Sequence, residues 1–168
     1  RKLECGMSTL EVKAIQAPSG YDLDMPAGHI LQVVSSTYST AVNNATSSYA
    51  DTGLTATITP KFSTSKVLIV ISQSLTLDRD TSEGGVSSKL LRGSTEIQDY
   101  PRAIYGEGGG SATKNGGLWA VTYLDSPNTT SATTYKTTAK PENTANNAVS
   151  RAQWYSTPST ITLMEVAQ

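Results

Sequence analysis

The chain has 168 residues and a mass of 17.7 kDa, a length typical of a single domain. Only 16% of the residues are charged and the net charge is −1, so the chain lacks the excess of Lys and Arg that nucleic-acid binding requires. A single Cys and a single His exclude an intramolecular disulfide and the usual zinc sites. This composition predicts no cofactor, no metal and no enzymatic activity, and its 24 Thr and 21 Ser favour strands and turns over helices.

The first 25 residues are predicted to form an extended N-terminal segment, ahead of a β-domain that covers residues 26–168. The apolar residues of this segment include Leu10, Val12 and Ile15. No apolar run approaches the roughly 20 residues of a membrane-spanning helix, and no signal peptide is recognisable, so membrane insertion is not expected.

Met7 and the three residues after it are typical of a natural translation start. Residues 1–6 therefore have two interpretations. They are vector-derived, or they continue a longer fibre chain.

The first predicted strand covers residues 30–34, and the second follows from an alternation of apolar residues with threonine. Leu54, Ala56 and Ile58 alternate with hydroxyl-bearing residues until Pro60 interrupts the pattern. This alternation predicts a strand with one buried face and one exposed face.

The segment from Lys66 to Leu77 predicts the longest strand. Its odd positions form one apolar face, interrupted only by Gln73, whereas its even positions begin apolar and then become polar. We therefore expect the first half of this strand to be covered on both faces. Leu68 and Val70, on the second apolar face, are the candidate oligomer-interface residues.

Gly93 and Ser94 separate two short strand patterns and predict a type II′ hairpin, since glycine accepts a positive φ at the first turn position. Three further strands are expected at residues 118–124, 133–138 and 160–166. Four long segments are expected to be exposed loops: residues 78–87, 106–117, 125–131 and 140–148. These elements predict an all-β fold, an antiparallel jelly-roll-like β-sandwich of eight or nine strands.

Aromatic residues provide the candidate binding residues. Tyr and Trp combine an apolar ring with a polar tip, which suits contact with sugars. Tyr100, Arg102 and Tyr105 precede a glycine-rich segment and are candidates for receptor binding. Trp154 and Tyr155 are further candidates; as neighbours on an extended chain they are expected to point to opposite faces.

Other residues are expected to be structural. Trp119, Val121 and Tyr123 alternate on a strand and are expected in the core. His29 lacks the partner residues that catalysis or metal binding would need. The acidic stretch from Asp78 to Glu83 is interrupted by an arginine that neutralises much of its charge, so metal binding there is not expected.

Several segments of the chain resemble the small tail-fibre-like structural proteins of marine bacteriophages. The similar segments keep their order and are Gln16 to Val34, Ala50 to Pro60, Ser65 to Val70, Leu90 to Thr95, Leu124 to Thr130 and Ser159 to Glu165. None of them contains a catalytic motif. The segments from Ser87 to Glu107 and from Thr138 to Tyr155 depart most from the pattern.

The resemblance implies a virion protein, a homotrimer attached through its N-terminal segment to other phage proteins. The candidate attachment residues are then Leu10, Val12 and Ile15. The leading hypothesis is a tail-fibre or spike component whose β-domain loops contact a host-surface glycan. One alternative is a capsid decoration or head-fibre protein of the same fold. Another is a free carbohydrate-binding module or a small glycan-cleaving enzyme, which would need two carboxylates roughly 5–10 Å apart in a cleft.

Overall fold

The computed structural model describes residues 26–80, 83–106 and 113–168. Leu10, Val12 and Ile15, predicted to attach the chain to another protein, lie outside these residues. Ten strands account for most of the described chain: β1 Ile30–Tyr38, β2 Val42–Asn44, β3 Ala50–Ile58, β4 Lys66–Arg79, β5 Gly84–Arg92, β6 Thr95–Gly106, β7 Thr113–Asp125, β8 Thr133–Pro141, β9 Val149–Ala152 and β10 Ser159–Val166. Two short 3₁₀ turns, Ala145–Asn147 and Trp154–Ser156, flank β9. No helix long and apolar enough to span a membrane occurs in the described part of the chain.

The strands form two antiparallel sheets packed as a sandwich. In the first sheet β1, β10, β4 and β7 are neighbours in that order. On the side of β4 that faces away from β7, β10 pairs with the N-terminal half of β4 and β9 pairs with its C-terminal half. The short strand β2 pairs with β9. The second sheet has the order β3, β8, β5, β6. When the short strands β2 and β9 are set aside, the other eight strands form four nested pairs: β1 with β10, β3 with β8, β4 with β7, and β5 with β6. This is a long hairpin rolled into two Greek keys, the jelly roll that the sequence predicts.

Side chains that alternate along the strands build the core between the sheets. On β4 the odd positions from Val67 to Leu77 are buried, including the amide of Gln73. From the opposite sheet, Leu54, Val86 and Leu90 are fully buried. The predicted core positions on β7 are confirmed, because Trp119 and Val121 are buried and Tyr123 packs against the core.

The predicted hairpin between β5 and β6 is also confirmed. Arg92 pairs with Thr95 across a two-residue turn, in which Gly93 has a φ of 60° and Ser94 keeps a negative φ, as a type II′ turn requires.

Two of the predicted loops are wrong in part. Residues 84–87 are buried in β5 and residues 113–117 belong to β7, where Gly116 pairs with Thr76. At Gly116 a Cβ would overlap the Thr76 side chain, so the glycine serves close strand packing rather than loop flexibility. The short strands β2 and β9 have too few residues to show an alternating pattern in the sequence.

The even positions of β4 lie on the outer face of the first sheet. Val70 is 36% exposed and Leu68 is half-buried. Among the described residues, the first half of β4 is therefore buried on its inner face and partly exposed on its outer face, and the expected cover on the outer face stays a prediction.

A buried polar cluster joins the two sheets at one end of the sandwich. The hydroxyl of Tyr135 on β8 donates to the Asp125 carboxylate at the end of β7, at 2.7 Å. Arg92, at the end of β5, donates to both oxygens of the same carboxylate, at 2.8 and 3.0 Å. The carboxylate is 8% exposed and Tyr135 is fully buried, so one acidic group satisfies polar partners from the opposite sheet.

Candidate binding surface at the loop end of the sandwich

Six strand ends meet at one end of the sandwich, which we call the loop end. Here β4 ends, β5 begins, β6 ends, β7 begins, β8 ends and β9 begins. Strand pairing fixes this neighbourhood: Arg79 lies opposite Thr113, Gly84 opposite Gly106, and Val86 opposite Pro141. Residues that are far apart in the sequence therefore line one surface.

A polar cleft of about 250 Å³ opens at the loop end. It is lined by Arg79, Glu83, Gly84, Arg102, Tyr105, Glu142 and Asn143. Arg102 and Tyr105, two of the predicted receptor-binding residues, lie together in it. The cleft thus combines two guanidinium groups, two carboxylates and one aromatic ring.

The exposed wall of the cleft is an ordered group of three side chains. Arg102 Nε donates to Glu142 Oε1 at 2.8 Å, and the same guanidinium lies over the ring of Tyr105, 4.5 Å from its centroid. Partial burial and the nearby carboxylate of Glu83 raise the pKa of the Tyr105 hydroxyl. A flat ring beside charged donors and acceptors can contact both the apolar face and the hydroxyls of a sugar.

An irregularity in β6 places Arg102 and Tyr105 together. Residues three apart on a regular strand point to opposite faces. Between the pairs Val86–Ile104 and Ser88–Tyr100, however, β6 has two more residues than β5. This bulge re-aims the side chains so that Arg102 and Tyr105 converge on the same cleft.

Arg79 forms the inner wall of the cleft. It is only 5% exposed, and its Nη1 donates to the backbone carbonyl of Glu83. The acidic side chains around it diverge: Asp78 accepts from Arg151 at 2.8 Å, whereas Asp80 accepts from Asn147 at 2.6 Å. The described residues contain no group of three or more metal-binding side chains.

Trp154 and Tyr155 form a separate aromatic surface over the first sheet. They do not point to opposite faces, so that prediction is wrong. They lie in a 3₁₀ turn in which Tyr155 has a φ of 54°, and their rings stack with centroids 4.2 Å apart. Lys114 and Arg151 lie within 5.5 Å of the Trp154 ring, and Tyr155 is 79% exposed.

The structure does not support Tyr100 as a surface contact. Its ring is half-buried and meets Trp119 edge-to-face, with centroids 5.0 Å apart. Burial also raises the pKa of its hydroxyl. Tyr100 belongs to the core because it precedes the bulge in β6 and keeps the inward direction of the regular strand.

Sequence reasoning missed Glu142 and Asn143 as site residues. Glu142 reaches the cleft because its backbone N–H donates to the carbonyl of Gly85, at 2.8 Å, which extends the β5–β8 pairing by one step. No local motif signals this long-range contact. His29 is exposed at the start of β1, where its Nδ1 lies 2.9 Å from the carbonyl oxygen of Pro26.

No family model matches this chain, and no curated protein matches it. Among solved structures, it is similar to the structure of the Gt strain of infectious bursal disease virus, with 13% identity and a TM-score of 0.35 over 94% of this chain and 41% of that chain. It is also similar to a mutant VP2 protein of infectious bursal disease virus in derived T=1 particles, with 11% identity and a TM-score of 0.32 over 93% of this chain and 41% of that chain. The chain therefore spans about two fifths of the length of these structures, and likeness at this level assigns neither a family nor a function.

Proposed function

We propose that this chain is a non-enzymatic structural protein of a virion, a tail-fibre or spike component of a bacteriophage that contacts host-surface glycans through the cleft at its loop end. The observation that carries the proposal is the grouping of Tyr105, Arg102 and Glu142 at the open side of this cleft. The resemblance to marine phage tail-fibre proteins and the jelly roll, a fold common in viral and lectin domains, support it.

The composition of the cleft agrees with a role in specificity. Arg102 and Tyr105 come from the segment between Ser87 and Glu107, and Glu142 comes from the segment after Thr138. These are the two segments that depart most from the tail-fibre pattern. Variable side chains on a rigid scaffold are a common way to change a ligand without changing a fold.

Binding rather than cleavage is favoured by the state of the carboxylates. Glu83 and Glu142 both line the cleft, but the Glu142 carboxylate is already paired with Arg102. Hydrolysis of a glycosidic bond needs two carboxyl groups that flank the bond, and in this cleft Arg102 occupies one of the two. A paired carboxylate instead offers fixed acceptors and, through Arg102, fixed donors for sugar hydroxyls.

The remaining parts of the proposal concern assembly. The N-terminal segment, through Leu10, Val12 and Ile15, would attach the protein to other virion proteins, and the chain would act as a homotrimer. Three weak glycan sites on one rigid assembly gain avidity without tight binding at any one of them. Neither nucleic acid nor a membrane is a proposed partner.

The binding part is tested with the labelled full-length chain on a glycan array, followed by calorimetry with the sugars that bind. Tyr105→Ala is expected to weaken binding at least tenfold, which equals about 1.4 kcal/mol. Tyr105→Phe keeps the ring and is expected to retain most of the affinity. Tyr155→Ala is the matched control, since it removes an exposed tyrosine outside the cleft.

Three outcomes would contradict the binding proposal. Equal binding by Tyr105→Ala and the unmodified chain would exclude the cleft, and a loss confined to Tyr155→Ala would move the site to the Trp154–Tyr155 surface. Release of shortened sugars would show a glycan-cleaving enzyme.

The location is tested by copy number in purified virions. Fibres occur at small multiples of the tail symmetry, whereas capsid decoration proteins occur at capsid copy numbers. Absence from virions would favour a free carbohydrate-binding module.

A further inference from the structure

A row of apolar side chains crosses the outer face of the first sheet. The strand registers place Val33, Met164, Leu68 and Leu124 side by side on β1, β10, β4 and β7. Val33 is 57% exposed and Leu124 is 49% exposed, although both strands are part of a folded sandwich. The row is continuous over all four strands, which distinguishes it from scattered surface apolar residues.

The next two rows of the same face also contain no charged residue. Their members are Ser35, Thr162, Val70 and Thr122, followed by Thr37, Thr160, Ser72 and Ala120. Together the three rows have twelve positions, of which six are apolar and six carry a hydroxyl. At this chain's own 16% of charged residues, about two of the twelve would be charged. We call these twelve residues the uncharged face.

The outer face of the second sheet is different and provides an internal comparison. There Lys89 pairs with Glu96 at 2.5 Å, and Lys136 pairs with Asp51 at 2.8 Å. Such cross-strand ion pairs are typical of a sheet that faces water. The uncharged face therefore differs in character from the outer face of the second sheet. The ion pairs on the outer face of the first sheet, which Asp78 makes with Arg151 and Lys114, lie beyond the uncharged face, at the loop end.

We infer that the uncharged face packs against the same face of another copy of this chain. A hydroxyl group both donates and accepts, so rows of Ser and Thr can pair with a symmetry-related copy of themselves. The hydroxyls of Ser35 and Thr162 already pair across strands at 3.1 Å. A charged residue near a symmetry axis would instead meet its own like charge, which explains why this face excludes charge.

The size of the face fits a weak, reversible self-association. Four strands about 4.8 Å apart and three outward rows about 6.8 Å apart cover about 400 Å². Two copies would bury about 800 Å² in total, which is the size of a weak interface rather than a permanent one. This inference concerns the homo-oligomer part of the proposed function, where it predicts a face-to-face pair in place of a trimer, and it does not depend on the cleft.

The chain's own N-terminal residues are a poorer occupant of the face. Residues 1–25 contain seven charged side chains. Laying them on the uncharged face would remove charges from water without supplying partners, which is costly.

The test is the mass of the full-length chain in solution, by light scattering during size exclusion, over a range of micromolar concentrations. We expect a dimer for the unmodified chain, because a face that packs against its own copy forms a two-fold pair. A trimer would overturn the face-to-face packing. Thr122→Lys, on the edge strand β7, and Val70→Lys, at the centre of the face, are each expected to raise the dissociation constant at least tenfold. Thr57→Lys is the matched control, because Thr57 is also an exposed threonine on an edge strand, but of the second sheet.

Circular dichroism and the melting temperature of each variant separate loss of assembly from loss of fold. A monomeric unmodified chain at 100 μM would overturn the inference. An oligomer that neither lysine variant weakens, or that Thr57→Lys weakens equally, would also overturn it. Binding of a single sugar at the cleft is expected to be the same in the dissociated variants, so failure of the interface and failure of the glycan site give different results.

Discussion

The strongest stability prediction concerns the buried hydroxyl of Tyr135. Tyr135→Phe removes one hydrogen bond to the Asp125 carboxylate but leaves that carboxylate paired with Arg92, so no charge is orphaned. Hydrogen bonds to charged groups contribute about 1.5–3 kcal/mol, and a loss of about 2 kcal/mol is therefore expected. For a chain of this size, that loss lowers the melting temperature by about 4–8 °C.

Urea unfolding followed by circular dichroism measures this loss directly, with Tyr155→Phe as the matched control. Tyr155 is 79% exposed, so removing its hydroxyl is expected to change the free energy of unfolding by less than about 0.5 kcal/mol. If Tyr135→Phe costs no more than this control, with an unchanged dependence on urea, the bond between the two sheets contributes nothing to stability and the reasoning is refuted.

Three further predictions concern pH and packing. Burial would raise the pKa of Glu165, but hydrogen bonds from Gln32 and two backbone amides lower it overall. The ionised carboxylate therefore stabilises the fold above its ordinary pKa of about 4.3, and this stabilisation is lost as the pH falls. Glu165→Gln should reduce the drop in melting temperature between pH 5 and pH 3. Burial and the Asp125 hydrogen bond raise the pKa of Tyr135, so the unfolded chain releases this proton at a lower pH than the folded chain. The free energy of unfolding should therefore fall above about pH 10, by up to about 1.4 kcal/mol per pH unit more than in Tyr135→Phe. Melting curves of both proteins at alkaline pH measure this difference. Gly53 has a φ of 83° and a Cβ there would overlap the Tyr38 ring, so Gly53→Ala should cost about 2–3 kcal/mol in urea unfolding; a loss below 1 kcal/mol would show that the ring moves aside.

Strand patterns were readable from the sequence wherever one face of a strand is buried. The alternation on β3 and β4 predicted both strands and their inward residues, because a period of two is the direct consequence of the pleat. The same reasoning failed where the backbone departs from the pleat. The bulge in β6 turns Arg102 away from Tyr100 and towards Tyr105. The left-handed turn at Tyr155 stacks two rings that an extended chain would have pointed apart.

The sequence by itself determined the fold class and the inward positions, since these depend on the local order of apolar and polar residues. It also determined that one strand has a second apolar face, at Leu68 and Val70. Only the tertiary structure placed Glu142 beside Arg102, because that contact arises from strand pairing over 40 residues. It also decided that the uncharged positions of four strands lie side by side, since register between distant strands is set by the packing of the whole sandwich.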